Sequence, residues 1–353
     1  MNVGLCFNLK KPREDSLPDD LYAEWDDEET IEAVRSALSG KHRVMLIEGN
    51  EEAFEKFRRL RPDIVFNMAE GLHGASREAQ IPSLLEMLRI PYTGSDPLTL
   101  ALGLDKSLTK EILSYHGIPT PRFTVVTEWK KRMDVPPFPL IVKPLFEGSS
   151  KGVGNNALVR TPRQLQTQVS LILQQYHQPS LVEQYLPGRE FTVALLGNGA
   201  AVHVLPIVEI AFDQLPAEMN PIYSYEAKWI WDRPENPLKI FHCPADIPLD
   251  LKLRIEHLVA RTCSVLRIKD WCRIDVRLDE AGTPNILEVN PLPGVLPNPE
   301  DNSCLPKAAR TAGYSYSGLI HRVVDEACKR HGLKRAPARP TVGEVYPQVE
   351  LKQ

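Results

Sequence analysis

The chain has 353 residues, of which 42% are apolar and 25% charged, a composition typical of a globular protein with two or three packed units. The 42 basic and 46 acidic residues give a net charge of −4, which does not favour a nucleic-acid or membrane-surface protein. No apolar run approaches the roughly 18 residues of a membrane-spanning helix, and the N-terminus does not have the pattern of a signal peptide. Six cysteines without a C-x-x-C pair argue against a zinc knuckle and a disulfide framework, and they predict a cytoplasmic protein.

The N-terminal part of the chain alternates short apolar runs with helical patterns. A strand, a helix, a strand, a helix and a strand follow one another within the first 66 residues. This order is typical of a parallel α/β sheet, and we place the N-terminal unit at about residues 1–100. The strands are predicted at 3–7, 44–47 and 63–66, and the helices at 24–38 and 51–61.

Two further units follow at 101–190 and 191–332, and a tail at 333–353 has no apolar period and is expected to be loosely held. Both units mix strands with helices, so the fold class is α/β. Strands 123–126, 140–143, 180–185 and 190–196 are predicted first, around a helix at 162–177. The later elements are strands 202–210, 239–243, 272–278 and 285–290 and helices 250–266 and 305–331.

Polar residues alternate along a predicted hairpin near residue 280. Because side chains on a strand alternate between faces, Asp275, Glu288 and Asn290 are predicted on one surface, next to Arg273. Carboxylate and amide oxygens suit Mg²⁺. The alternative is a solvated sheet face, but the stiff Asn-Pro-Leu-Pro-Gly turn that follows favours a metal site. The residues behind the acids are Ile274, Val276, Leu278, Leu287 and Val289.

Two other stretches carry weaker signals. The strand that ends in Lys143 leads into a loop of glycine and serine, whose backbone N–H groups suit phosphate oxygens. Taken alone, such a loop is more often an ordinary flexible turn. Glu183 and Glu190 flank a Pro-Gly turn whose backbone suits an adenine edge, although a hairpin with exposed acids explains this stretch more simply.

In this order, the lysine-ended strand, the loop, the two glutamates and the acidic hairpin resemble the ATP-grasp superfamily, and their details resemble its D-alanine–D-alanine ligase branch. The resemblance runs from about residue 60 to 330. It implies an ATP-grasp fold, in which a parallel α/β N-terminal domain precedes two ATP-grasp subdomains of α+β type. The matching segments are 70–74 with Gln80, 91–95, 105–110, 117–121, 142–150, 225–229 and 288–294.

The resemblance implies roles for the residues that would bind ATP and metal. Lys106 and Lys143 would hold the ATP phosphates, and Glu190 would bind the ribose hydroxyls. The metal would be Mg²⁺, as two ions, with Mn²⁺ as an alternative. Its ligands would be Asp275, Glu288 and Asn290, and the adenine hinge would consist of Glu183, Gln184, Tyr185 and Leu186.

The resemblance also implies a catalytic set. Arg273 and the backbone N–H of Gly294 would stabilise the tetrahedral oxyanion. Lys228 would cover the transferred phosphate when the loop 219–232 closes. Ser149 would orient the first substrate, and His73 would lie near that substrate's carboxylate, unless it only caps the turn before a helix.

Three departures from the family pattern fall on the substrate side. The N-terminal acid that grips the first substrate's amino group is missing, and Glu24 or Glu28 is its candidate replacement. Trp229 stands where peptidoglycan enzymes carry a tyrosine. The loop after Asn290 is longer and rich in proline. The substrate residues would therefore be Glu24, Glu147, Trp229 and Ser303.

We therefore expect an ATP- and Mg²⁺-dependent carboxylate–amine ligase that works through an acyl phosphate and has altered substrate pockets. The alternatives are a true D-alanine–D-alanine ligase of peptidoglycan synthesis and a non-catalytic nucleotide-binding protein. The expected partners are two small molecules of the amino-acid class, with no nucleic acid and no membrane. The resemblance also implies a homodimer.

Overall fold

The computed structural model of the protein describes residues 1–11, 20, 22–71, 73–216, 218–231 and 238–333, and for 229–231 the backbone alone. The predicted tail from residue 334 onwards and the side chain of Trp229 lie outside the described residues. In the part of the chain that the structure describes, no helix is long and apolar enough to cross a membrane.

The N-terminal unit is a parallel sheet flanked by helices. Strand β1 (Asn2–Phe7) lies between β2 (Arg43–Glu48) and β3 (Ile64–Asn67), and α1 (Glu28–Ser39) and α2 (Ala53–Leu60) connect them. Both strand pairs are parallel. The predicted parallel α/β unit is therefore confirmed, with its strands in the predicted places.

Helix α1 begins four residues later than its sequence pattern indicates. The side chain of Asp27 accepts a hydrogen bond from the N–H of Thr30 at 2.8 Å and so caps the helix. Residues 24–27 therefore lie outside the helix. Three more helices follow the sheet, α3 (Gln80–Leu88), α4 (Pro97–Leu104) and α5 (Lys106–Tyr115).

The central sheet has four antiparallel strands in the order β4-β7-β5-β6. They are β4 (Phe123–Val126), β5 (Leu140–Pro144), β6 (Leu158–Val159) and β7 (Ser180–Gln184), and α6 (Pro162–Gln175) packs against them. Strand β5 ends at Pro144, one residue beyond the predicted lysine, and the glycine- and serine-rich loop begins there.

The largest sheet is antiparallel, in the order β11-β10-β8-β12-β13, with β9 paired to β8. Helix α7 covers one of its faces. The elements are β8 (Glu190–Leu196), β9 (His203–Val204), β10 (Val208–Ile210), β11 (Phe241–His242), α7 (Leu249–Val265), β12 (Trp271–Leu278) and β13 (Pro284–Asn290).

Two predicted elements are interrupted. The strand predicted at 202–210 divides into β9 and β10 around Pro206, which has no N–H to give to a sheet. The helix predicted at 305–331 divides into α8 (Cys304–Thr311) and α9 (Tyr316–Arg330). Gly313, with φ 89°, lies in the left-handed region that ends a helix.

The N-terminal unit and the largest sheet share one apolar core. The rings of Phe66 in β3 and Trp271 in β12 meet edge to face, with their centroids 5.4 Å apart. Helices α1 and α9 add Val34 and Val323 to the same cluster. The first unit therefore packs directly on the sheet that carries the acidic hairpin, while the predicted boundaries near 100, 190 and 332 stay predictions.

Asp270 ties three parts of the chain together beneath this core. Its fully buried carboxylate accepts hydrogen bonds from the N–H of Gly94 at 2.8 Å and from Asn198 Nδ2 at 2.9 Å. It also forms an ion pair with Arg330 at 2.7 Å. Arg330 in turn donates to the carbonyl oxygens of Tyr92 and Gly94. A single charge thus fixes the N-terminal unit, the start of β12 and the end of α9.

Asp270→Asn tests this junction. Asparagine tolerates the left-handed backbone at this position, where φ is 62°, so the change removes the charge and one acceptor oxygen without straining the backbone. Removing one partner of a buried ion pair costs about 3–5 kcal/mol, and we expect the free energy of unfolding in urea to fall by that amount. Glu32→Gln, in an exposed pair with Arg35, is the matched control and should change it little. Equal effects of the two variants would contradict the assignment.

Candidate active site

A cavity of about 280 Å³ lies between the N-terminal unit and the two antiparallel sheets. It brings together most of the side chains that the sequence analysis selected, although they come from distant parts of the chain. The predicted residues that line it are Glu24, Lys106, Lys143, Glu147, Ser149, Glu183, Gln184, Tyr185, Leu186, Glu190, Lys228, Arg273, Asp275, Glu288, Asn290, Gly294 and Ser303.

The hairpin of β12 and β13 sets the acidic end of the cavity. Its register places Asp275 opposite Glu288 and Arg273 opposite Asn290. Arg273 Nη2 lies 3.1 Å from Asp275 Oδ2, and Asn290 Nδ2 lies 3.3 Å from the same oxygen. The predicted shared face is therefore confirmed. A β-bulge shifts the register after Asp275, so Leu287, predicted behind the acids, lines the cavity instead.

The donor atoms of this hairpin fit a divalent cation. Burial raises the pKa of Glu288, but the charges of Lys106, Lys143 and Arg273 outweigh it and lower the pKa to about 2, so this carboxylate is ionised. Two carboxylates and an amide are hard oxygen donors, and Mg²⁺ takes one or two carboxylates when phosphate supplies its other ligands. Among the described residues, no group of three or more His, Cys, Asp and Glu side chains is placed to hold a metal by itself.

Buried lysines form the next part of the wall. Glu183 lies between two of them, with Lys143 Nζ at 2.6 Å and Lys110 Nζ at 2.9 Å. Burial raises the pKa of Glu183, whereas the two lysine charges bring it below its usual value. Lys106 Nζ is 3.1 Å from Glu288 Oε1 and also donates to the carbonyl oxygen of Glu147. Sequence reasoning matched Lys110 to a motif but gave it no role.

Arg277 organises the hinge side of the cavity. Its Nη1 is 2.6 Å from Glu190 Oε2, and its Nη2 donates to the Tyr185 hydroxyl at 2.9 Å. The guanidinium lies over the rings of Tyr185 and Phe212, 4.8 Å and 5.3 Å from their centroids. Arg277 follows Asp275 by two residues on β12, so strand alternation places both on the cavity face, but no local pattern indicates the contacts of Arg277 with the hinge.

A network of buried charges joins the N-terminal segment to the glycine-rich loop. Glu24 forms ion pairs with Arg77 at 2.7 Å and Lys151 at 3.1 Å, and its Oε1 accepts from the N–H of Gly148 at 2.6 Å. Glu147 contacts the same two cations. A Cβ at Gly148 would lie 2.6 Å from the Glu24 carboxylate, so only glycine permits this approach. Sequence reasoning found no signal for Arg77.

Lys228 reaches the glycine-rich loop from the opposite side. It lies in a π-helical turn (Glu226–Trp231), and its Nζ is 3.4 Å from Ser149 Oγ. The loops also meet where Ser150 Oγ donates to the carbonyl oxygen of Tyr223 at 2.9 Å. Burial, together with the charge of Arg273, lowers the pKa of Lys228 to about 8.

Two predicted residues lie apart from the cavity. The side chain of His73 is exposed, and its carbonyl oxygen accepts from Gln80 Nε2 at 2.6 Å, in the turn before α3. This position matches the alternative role of His73 as part of that turn. Glu28, the second candidate for the N-terminal acid, is exposed in the first turn of α1. Ser303, in contrast, is buried at the start of α8.

The chain matches the family described as D-ala D-ala ligase C-terminus over residues 112–325. It is 38% identical over 298 residues to the uncharacterized protein y4sG of Sinorhizobium fredii, with 82% of this chain and 84% of that protein covered. It is 34% identical over 318 residues to a D-alanine–D-alanine ligase of Bordetella petrii, with 86% and 90% covered. The fold is similar to the D-alanine–D-alanine ligase of Bacillus anthracis crystallised with ATP, with a TM-score of 0.70, 23% identity and 94% and 99% of the two chains covered. The chain therefore has the ATP-grasp fold and belongs to the D-alanine–D-alanine ligase family.

Proposed function

We propose that the protein is an ATP- and Mg²⁺-dependent ligase that joins the carboxylate of one small molecule to the amine of another. The observation that carries this proposal is the single cavity in which Lys106 and Lys143 face the Asp275–Glu288–Asn290 hairpin. Cations for phosphate and oxygen ligands for a metal are thus combined in one place. The D-alanine–D-alanine ligases among its relatives support the same reaction class.

The chemistry would proceed in two steps. A substrate carboxylate oxygen attacks the γ-phosphorus of ATP, ADP leaves, and an acyl phosphate forms. The amine of the second substrate then attacks the acyl carbon, and phosphate leaves as the amide forms. Mg²⁺ held by the hairpin would neutralise charge on the transferring phosphoryl group, with two ions and Asp275, Glu288 and Asn290 as ligands.

The chain's own groups would bind and orient these reactants. Lys106 and Lys143, paired with Glu288 and Glu183 in this structure, would contact the ATP phosphates. Glu190, fixed by Arg277, would accept from the ribose hydroxyls at the hinge 183–186. Arg273 and the N–H of Gly294 would stabilise the oxyanion, since preorganised donors act where charge develops.

Two candidate reactions differ in the first substrate that the cavity would accept. The Bordetella relatives named as D-alanine–D-alanine ligases favour two D-alanine substrates. The engagement of Glu24 by Arg77 and Lys151 favours an altered first-substrate pocket. We favour the second, with Ser149 beside the first substrate, Lys228 over the transferred phosphate and Ser303 beside the second substrate.

A substrate screen tests the proposed function directly. With Mg-ATP and a mixture of D- and L-amino acids, the purified protein should release phosphate and form an amide of two of them, identified by mass spectrometry. D-alanyl-D-alanine as the sole product would select the first candidate reaction. No phosphate release with any pair of carboxylate and amine would contradict ligase activity.

Glu288→Gln tests the metal ligands. Loss of metal-assisted charge neutralisation is worth several kcal/mol, so we expect turnover to fall by about 10²-fold or more while ATP still binds weakly. ATP binding is followed by calorimetry and turnover by phosphate release. Glu280→Gln, in the exposed turn of the same hairpin, is the matched control and should leave turnover unchanged. A fully active Glu288→Gln enzyme would rule out this assignment.

The pKa of Lys228 predicts an alkaline limit to activity. Only the ammonium form holds phosphate, and the pKa of about 8 means that this form is lost as the pH rises through that value. We therefore expect kcat/KM for Mg-ATP to fall above a pH of about 8. In Lys228→Arg the side chain stays charged, so the fall should move to higher pH. Identical alkaline profiles for the two proteins would show that Lys228 is not the responsible group.

A further inference from the structure

The proposed reaction assigns no role to one acidic part of the cavity wall. Glu70 and Glu78 line the cavity on the side of the N-terminal unit. Glu78 is only 9% exposed. Within the described residues, neither of the two side chains makes a hydrogen bond or an ion pair. Buried carboxylates are stabilised by a partner of opposite charge, and a cationic ligand would supply one here.

The neighbouring charges do not provide that partner. Arg77 and Lys151 are both engaged by Glu24 and Glu147, so two cations balance two carboxylates. Arg77 donates its remaining contact, through Nη1, to the carbonyl oxygen of Phe146 at 2.8 Å. Glu70 and Glu78 are therefore acids of this wall that neither of these cations pairs with.

The pKa values of the two acids agree with the lack of a cationic partner. Burial raises the pKa of Glu78 to about 8, and the charge of Glu24 acts in the same direction. Burial, and then the charge of Glu78, raise the pKa of Glu70 well above its usual value. A cation between the two groups would favour their ionised forms and bind tightly for that reason.

The spacing of the acids favours an organic cation over a metal ion. Asp26 also lines this wall, yet no set of three or more acidic, His or Cys side chains in the described ranges converges closely enough to hold a metal. An ammonium group needs no such convergence, because it donates three separate hydrogen bonds. Glu78 lines the same cavity as Lys106 and Glu288, and the charges of both act on it, so this acid lies near the phosphate end of the cavity.

We propose that Glu70 and Glu78 bind the ammonium group of the substrate whose carboxylate is activated. That substrate is then an amino acid or another amine-bearing carboxylic acid, and Glu24 serves the glycine-rich loop instead. This inference rests on the proposed ligase function, because that function supplies the substrate carboxylate.

Paired ligands test the proposal without requiring turnover. The full chain with Mg²⁺ and a non-hydrolysable ATP analogue is studied by saturation-transfer NMR with D- and L-alanine, D- and L-lysine, and the amine-free acids propionate and hexanoate. We expect amine-bearing compounds alone to bind. Glu78→Gln should weaken their binding by at least about tenfold and leave the affinity for the ATP analogue unchanged. Glu70→Gln should act in the same direction.

Stability provides a second measurement. Because burial raises the pKa of Glu78 to about 8, this carboxyl lowers stability at neutral pH, where the unfolded chain would ionise it. Glu78→Gln removes that cost, so it should raise the urea midpoint of the ligand-free protein at pH 7, whereas a purely structural acid would lower it. Glu24→Gln is the matched control. It should lower the midpoint, since it breaks the pairs with Arg77 and Lys151, and it should keep the preference for amines.

Two results would overturn the proposal. One is a wild-type protein that does not select amine-bearing ligands. The other is selectivity that survives in Glu78→Gln and disappears in Glu24→Gln. The phosphate-release assay separates this inference from the ligase function. Amine-selective binding without any phosphate release would refute only the ligase function, and phosphate release with amine-free acids as the activated substrate would refute only this inference.

Discussion

The antiparallel pairing of β12 with both β8 and β13 is the constraint on which the cavity depends. It holds β12 between β8 and β13 in the largest sheet, with Ile274 and Val276 packed toward α7. Because side chains alternate along a strand, the residues between them must face the cavity. The same pairing places Asp275 opposite Glu288, and Trp271, at the start of the strand, anchors the N-terminal unit. Fold stability and site geometry therefore depend on the same strand.

The site that this sheet carries is rich in buried charge, and nearly all of that charge is balanced in pairs. Lys143 and Lys110 share Glu183, Lys106 contacts Glu288, and Arg277 holds Glu190. Buried ion pairs add little net stability compared with apolar packing, but a broken pair is costly. These pairs therefore keep the groups that we propose bind phosphate and metal ionised and fixed in position.

Asp20 and Glu24 of the N-terminal segment contact the glycine-rich loop that borders the cavity. Asp20 accepts hydrogen bonds from the Tyr176 hydroxyl at 2.6 Å and from the N–H of Gly152 at 3.0 Å, and Glu24 contacts the same loop at Gly148. The segment thus fastens the glycine-rich loop against the N-terminal unit. Glu24 is thus engaged by the loop, which agrees with the proposal that other carboxylates of the wall recognise an amino group.

The sequence by itself determined the parallel N-terminal unit, the lysine near the end of β5 and the shared face of Asp275, Glu288 and Asn290. These features are local, since strand periodicity and a short hairpin turn fix which side chains point the same way. Motif order also sufficed to identify the family. Only the tertiary structure decided that Glu24 pairs with Arg77, 53 residues away, and that Arg277 holds Glu190, 87 residues away. It also decided that the side chain of His73 is exposed and that Leu287 lines the cavity. Such contacts join elements whose approach is set by the packing of whole sheets, and no local pattern records that packing.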